Sequence, residues 1–142
     1  MLELEDQTGR IIGAAIEVHK TLGPGFLETV YEKALAVELA RCGISFVRQI
    51  NIPIVYQGVE VGNHVLDLLI DDQIVVELKA ARRLEDIHFV IVRSYLKAVG
   101  REHGLLLNFA GSTLDIKRVS SRLVGDTCRL PGFLGSRVQS SD

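Results

Sequence analysis

Between His64 and Lys79 the chain reads H-V-L-D-L-L-I-D-D-Q-I-V-V-E-L-K, and no other stretch limits its folding options so tightly. Taken as two strands broken at Asp71-Asp72, it sorts by the two-residue period of extended backbone. Leu66, Leu68, Ile70, Ile74, Val76 and Leu78 fall on one face, and every one is apolar, as a packed face requires. Val65, Asp67, Leu69, Val75, Glu77 and Lys79 fall on the other, so three charged groups share the face left for chemistry. A two-residue turn at Asp71-Asp72 would set Asp67 against Val76, whose side chain points the other way. Asp67 stands opposite Glu77 only if the loop takes three residues, Asp71-Asp72-Gln73, or if a bulge supplies the shift. The alternation demands that one-residue shift, and it is the expected pairing.

Two carboxylates with Cβ atoms about 5 Å apart repel each other and attract a hard divalent cation. Mg²⁺ or Mn²⁺ takes one or two carboxylates and completes its shell with water and phosphate oxygens. Asp67 and Glu77 are the expected metal ligands, and the Leu78 carbonyl can add a third oxygen. Lys79, two residues beyond Glu77, points the same way and can orient water or offset charge on a phosphate. Asp…Glu-x-Lys therefore reads as the centre of a metal-dependent phosphodiesterase. The competing reading is an edge hairpin with a solvated Glu77–Lys79 pair. Glu-x-Lys alone carries little weight, and it is the aligned aspartate with the wholly apolar opposite face that favours chemistry.

The flanking segments supply an α/β frame. Gln7 to Leu22 reads as a helix with Ile12, Ala15, Ile16, His19 and Leu22 along one stripe, ended by Gly23-Pro24-Gly25. A second helix runs from about Leu27 to Arg41, with Gly43 as its cap. It places Glu28, Tyr31, Glu32 and Leu35 on one face. Glu28 lies at its positive end, as a simple first-turn acid or as an accessory acid reaching over the sheet. Ser45 to Tyr56 is a strand marked as edge or bulged by Pro53, and Gln57-Gly58 turns it into a second strand, Glu60 to Ile70. Gly62-Asn63-His64 interrupts that second strand, and His64 reads as a surface strand residue. Leu84 to Val99 is a helix apolar nearly all round, which suggests burial on more than one side, either in a homodimer formed through residues 84–99 or between two layers. Strands at Gly104 to Phe109 and Thr113 to Ser120 complete the order α-α-β-β-β-α-β-β, an α/β sandwich with a mixed central sheet flanked by helices.

A chain of 142 residues is long enough for one well-formed core, placed here in residues 1–124. Residues 125–142, rich in Gly and Ser and without periodicity, read as a partly disordered tail in which Phe133 and Leu134 are available to a partner. No apolar run approaches the roughly 20 residues of a membrane helix. The acidic start M-L-E-L-E-D lacks the basic and apolar regions of a signal peptide. With Cys42 and Cys128 in no metal-binding spacing, a reducing cytoplasm is the expected setting. Up to Leu78 the chain holds 5 basic and 12 acidic residues, net −7, and from Lys79 onward 11 and 6, net +5. A basic half following the acidic cluster suits a phosphate-backbone partner, although its charges are dispersed.

Several ordered motifs also resemble one family. G-F-L-E-T-V-Y at Gly25 to Tyr31 matches the G-x-x-E-x-x-Y signature of the family named after it, which is grouped with PD-(D/E)xK nuclease-like proteins. Asp67-Leu68-Leu69, Val75 to Ala80, Tyr95-Leu96-Lys97 and Gly104 to Phe109 are similar too, so the likeness spans roughly Gly9 to Val119. It implies a restriction-endonuclease-like fold and a metal-dependent nuclease. The catalytic set would be Asp67, Glu77, Lys79 and Glu28, with Tyr31, Tyr95 and Lys97 as accessory residues. One departure counts against turnover. The family pattern has Gln four residues before the Tyr-Leu-Lys tyrosine, and here that position is Ile91. A branched apolar side chain positions neither water nor phosphate, so the alternative is an inactive, dimeric binding or assembly module on the same fold.

Overall fold

Residues 4–121 are described by the computed structural model, and their elements follow the expected order. They are α1 (Leu4–Leu22), α2 (Glu28–Arg41), β1 (Phe46–Tyr56), β2 (Val59–Ile70), β3 (Ile74–Lys79), α3 (Asp86–Val99), β4 (His103–Asn108) and β5 (Asp115–Ser120). The segment read as a tail, with Cys128, Phe133 and Leu134, lies outside the described residues. The strands form one sheet in the order β1-β2-β3-β4-β5, in which only β3 and β4 run parallel. A parallel pair needs a crossover, and α3 provides it.

Helices α1 and α2 cover one face of the sheet. Ile11, Ala15, Val18, Tyr31, Leu35 and Leu39 pack there against Leu68, Ile70, Ile74, Val76, Leu78, Leu105 and Leu107. On the other face α3 lays Val92, Tyr95 and Leu96 over Val75, Leu106 and Val119. Sheet strands buried on both faces read as unbroken apolar runs, as L-L-L in β4 does. The buried stripe of α1 differs from the expected one. Thr8, Ile11, Ala14, Ala15, Val18 and His19 are buried, whereas Ile16 is 40% exposed. Small alanines at the contact line let the helix lie close, so the larger residues beside them do not set its rotation. Within one chain the third helix covers one face of the sheet, with Ile87 exposed and Phe89, Val90 and Ile91 half-buried.

The hairpin turns follow their chemistry. Gln57 and Gly58 both adopt left-handed backbone (φ 53° and 77°), as a two-residue hairpin loop between twisted strands requires. Beyond that turn Ile54 pairs with Gly62 and Val55 with Glu60, so the Gly62 interruption resolves as a bulge inside a continuous β2. Pro53 lies on β1, the sheet's edge strand, as expected. Between β2 and β3 the loop holds three residues, Asp71, Asp72 and Gln73, flanked by the pair Ile70 and Ile74. Asp71 and Asp72 take φ of 53° and 56°, a region short polar residues tolerate. Ser45 binds the Asp71 carboxylate and Arg101 that of Asp72, which clamps the loop in place.

The alternation of β2 fails at one point. Leu68 and Ile70 enter the core under α1 and α2, but Leu66 enters the core under α3. The expected six-residue apolar face is therefore five residues long, and β2 reverses its facing between Leu66 and Leu68.

Gly104 is where α3 sits closest to the sheet. A Cβ there would lie 3.1 Å from Val92 Cγ1 and 3.3 Å from the Val75 carbonyl oxygen. Alanine in a strand normally gains on glycine, but this site has no room. Gly104→Ala is expected to destabilise the fold by about 1–3 kcal/mol through overpacking, read by chemical denaturation. Val92→Ala in the same chain should restore part of the loss.

Candidate functional site

The site is built where β2 and β3 stop pairing. Their ladder runs Ile70 with Ile74, Leu69 with Val75, and Leu68 with Val76. Continued by one step it sets Asp67 opposite Glu77, the register that the three-residue loop was needed to give. Past Leu68 the backbones separate, and the acids take over the hydrogen bonding. Asp67 donates its N–H to Glu77 Oε1 at 3.0 Å, and Leu78 donates its N–H to Asp67 Oδ2 at 2.9 Å. Each acid is thus held by the backbone of the opposite strand.

The same pairing fixes the Leu78 carbonyl. Phe109 donates its N–H to the Lys79 carbonyl at 2.9 Å, so Lys79 turns its backbone polar groups toward β4. Those groups alternate in direction along a strand. Leu78 therefore turns toward β2, where its N–H meets Asp67 and its carbonyl faces the same gap. Three oxygen-bearing groups, from Asp67, Glu77 and Leu78, line one fork.

Burial shapes the charges in this fork. It pushes the Glu77 carboxyl up to about 8, with the Asp67 charge adding to the rise and the Lys79 charge opposing it. Asp67 is also raised, by burial first; the Leu78 N–H works against that, and the negative charges of Glu32 and Glu28 reinforce it. Both carboxyls are therefore pushed toward the protonated form when no cation is bound. This donor set fits a hard cation. Mg²⁺ or Mn²⁺ prefers carboxylate and carbonyl oxygens, and two acids in one buried gap release their strain on meeting it. Among the described residues, no third His, Cys, Asp or Glu joins these two in a metal-holding group.

Lys79 is half-buried beside them, and its ammonium group makes no hydrogen bond or ion pair among the described residues. Glu28 accepts the Ala80 N–H at 3.3 Å, which brings the first turn of α2 over the end of β3. Tyr95 approaches from α3 and donates its hydroxyl to the Val65 carbonyl at 3.4 Å. Burial, then the charges of Glu77 and Asp67, push its hydroxyl up to about 12, so it stays a donor.

Two expected accessory residues are not brought to the fork. Tyr31 is fully buried, stacks on Phe109 at 4.5 Å, and spends its hydroxyl on the α1–α2 loop. It donates to the Gly23 carbonyl at 2.6 Å and accepts the Phe26 N–H at 3.2 Å. Lys97 is exposed, and residues two apart on a helix do not share a face, so it turns away where Tyr95 turns in. Ile91, one turn before Tyr95, packs into the core under α3. His64 is exposed and meets Tyr95 edge to face at 5.8 Å, and His19 is a buried residue tied to the Gly111 carbonyl at 2.9 Å.

Asn108 was missed as a site residue. It pairs with Lys79 across the parallel ladder, donates to the Ala81 carbonyl at 2.9 Å, and accepts the N–H groups of Ala81 (3.1 Å) and Ala110 (3.3 Å). It thereby fixes the chain just past Lys79. The available signal was an amide closing the apolar run of β4 at a strand end. Glu32, on the α2 face it shares with Glu28, is buried, and its negative charge helps raise Asp67.

Comparison with known proteins bears on the family and the fold. A family model described as the PD-(D/E)XK nuclease superfamily matches residues 5–119. The crystal structure of SSO0001 shares the fold, with a TM-score of 0.51 at 17% identity, covering 67% of this chain and 50% of that one. This chain thus spans half the length of that protein. No curated protein matches the sequence.

The raised Glu77 sets a pH dependence. In the unfolded chain its carboxyl titrates near 4.5, and in the fold near 8, so the folded state holds a proton the unfolded state has lost. Stability of the metal-free protein is then full below about pH 4.5 and falls as pH rises toward 8, by about 1.4 kcal/mol per unit for one retained proton. Thermal melts in chelator across pH 5–9 should show that decline. Glu77→Gln, which can still donate to Asp67 and accept its N–H, should flatten it.

Proposed function

The chain belongs to the PD-(D/E)XK nuclease superfamily, and from that premise we propose that it is a metal-dependent nuclease hydrolysing phosphodiester bonds of nucleic acid. The observation that supports this most is the fork of Asp67, Glu77 and the Leu78 carbonyl beside an uncommitted lysine. Asp67, Glu77 and Leu78 would hold Mg²⁺ or Mn²⁺, which when bound lowers the pKa of water and stabilises charge on the phosphoryl group. Lys79 would orient the attacking water or offset the developing charge, aided by a low-dielectric setting that strengthens its field. Glu28 would act as an accessory acid at the mouth, holding the Ala80 backbone and through it the reach of Lys79. Tyr95 would support the fork indirectly, by donating its hydroxyl to the Val65 carbonyl on the strand that carries Asp67. Arg82 and Arg83, exposed directly after this segment, suit a polyanionic substrate.

A second reading rests on Ile91 and on the half-exposed apolar residues of α3. It makes the chain a non-catalytic module that dimerises through residues 84–99. The two readings separate in one experiment. With Mn²⁺ or Mg²⁺, wild type should cut labelled DNA or RNA and stop cutting in EDTA. Asp67→Ala should abolish cleavage, and Lys79→Ala should lower its rate by about two to three orders of magnitude, both with unchanged circular dichroism. If wild type cuts neither substrate with either metal, or both variants cut as well as it does, the nuclease reading fails. A dimer that Ile87→Asp dissociates would then support the second.

A further inference from the structure

The reversal of β2 at Asp67 has a counterpart in β1. Arg48 pairs with Leu68 and Ile50 with Leu66, so Gln49 stands opposite Asp67. Phe46 packs on the core under α1 and α2, and Arg48 reaches to that side as well, whereas Ile50 and Ile52 pack under α3. Strand alternation would keep all four on one face, so β1 also reverses its facing, and the switch falls at Gln49. There the backbone is left-handed (φ 53°), a conformation uncommon for a residue that is neither Gly, Asn nor Asp.

A buried acid on α2 meets this switch. Glu32 is 4% exposed and has both its oxygens engaged: Arg48 Nε donates to Oε2 at 3.0 Å and Gln49 Nε2 donates to Oε1 at 2.7 Å. Consecutive strand residues normally point to opposite faces, yet these two converge on one carboxylate. The left-handed turn at Gln49 is what makes that possible.

We propose that Glu32, through Arg48 and Gln49, is a positioning residue for the acid fork. By drawing both side chains to α2 it holds Gln49 left-handed, and the reversed β1 carries the facing of β2 over at Asp67. Leu66 then leaves the first core, β2 separates from β3, and the Asp67 N–H is free to bind Glu77 while the Asp67 carboxylate accepts from Leu78. The positioning itself does not require that the protein be a nuclease; only its consequence for metal affinity rests on that reading.

The decisive measurement is amide hydrogen exchange in the metal-free full chain. Glu32→Gln can accept only one of the two bonds well, and Gln49→Val places a β-branched residue where φ must be positive. Both should speed exchange at the Asp67 and Leu78 amides on the order of tenfold or more, while the Val75 and Leu106 amides keep wild-type protection. Gln49→Gly adopts the left-handed backbone freely and leaves Arg48 on Glu32, so it should stay close to wild type. Unchanged protection in both Glu32→Gln and Gln49→Val overturns the proposal, and so does equal loss in Gln49→Gly and Gln49→Val. Should Glu32→Gln fail to fold, the two Gln49 variants decide alone. Mn²⁺ binding followed by electron paramagnetic resonance gives a second readout, with affinity weakened about tenfold or more in Glu32→Gln and Gln49→Val. If wild type binds no Mn²⁺, the nuclease reading fails, and the exchange result still judges the positioning role.

Discussion

Where β2 and β3 part, two backbone N–H groups lose the partners a ladder would give them, and two carboxylates take those partners' places. The exchange is what allows acids to be buried at all. A carboxylate taken out of water is costly unless hydrogen-bonded, and an N–H left unpaired in the same interior costs nearly as much. Each defect answers the other, because the acid of one strand binds the backbone of its neighbour. What the arrangement does not answer is the mutual repulsion of Asp67 and Glu77, which with burial pushes both carboxyls toward the protonated form.

The fork needs rigid walls, and the sheet provides them. β3 is the central strand, paired antiparallel to β2 and parallel to β4, with Val75 and Leu78 buried on opposite faces. Gly104 lets α3 settle onto β4 under Val92, which brings Tyr95 across toward Val65. At the end of β3, Asn108 holds Ala81 and Glu28 holds Ala80, so the backbone leaving Lys79 is gripped from both β4 and α2. The lysine ammonium makes no hydrogen bond or ion pair among the described residues, and its charge acts on Glu77.

Much of this was legible because it depends on period and register. Alternation across His64 to Lys79 identified the acids and required the three-residue loop, and the loop is there. The sandwich order followed from apolar runs and turn residues. The pieces that escaped share a different origin. Leu66 broke the alternation because β2 reverses at Asp67, and that reversal is tied to a left-handed glutamine that no sequence rule marks. Had position 49 been glycine, a kink would have been suspected. The stripe of α1 was rotated, with Thr8, Ile11, Ala14 and Val18 buried beside Ala15 and His19. Tyr31 and Lys97 came in through motif likeness, and motif likeness does not say where a hydroxyl is spent or which way a helix face turns.

The uneven charge along the chain acquires a spatial sense from this fold. Glu28, Glu32, Asp67 and Glu77, all from the acidic half, converge on the fork from α2, β2 and β3. Their combined field repels any anion approaching from α2, and Arg48 offsets only one of them. On the far side of β3 the basic half begins with Lys79, Arg82 and Arg83, the last two exposed on the segment that leads into α3. On the nuclease reading, a phosphate chain would meet repulsion from one flank and attraction from the other. Asn108, by gripping Ala81 between Lys79 and Arg82, holds the junction between these two fields. On the proposed reading, a divalent cation held by the acids would make the fork attractive to phosphate, and the basic segment would favour approach from its own side.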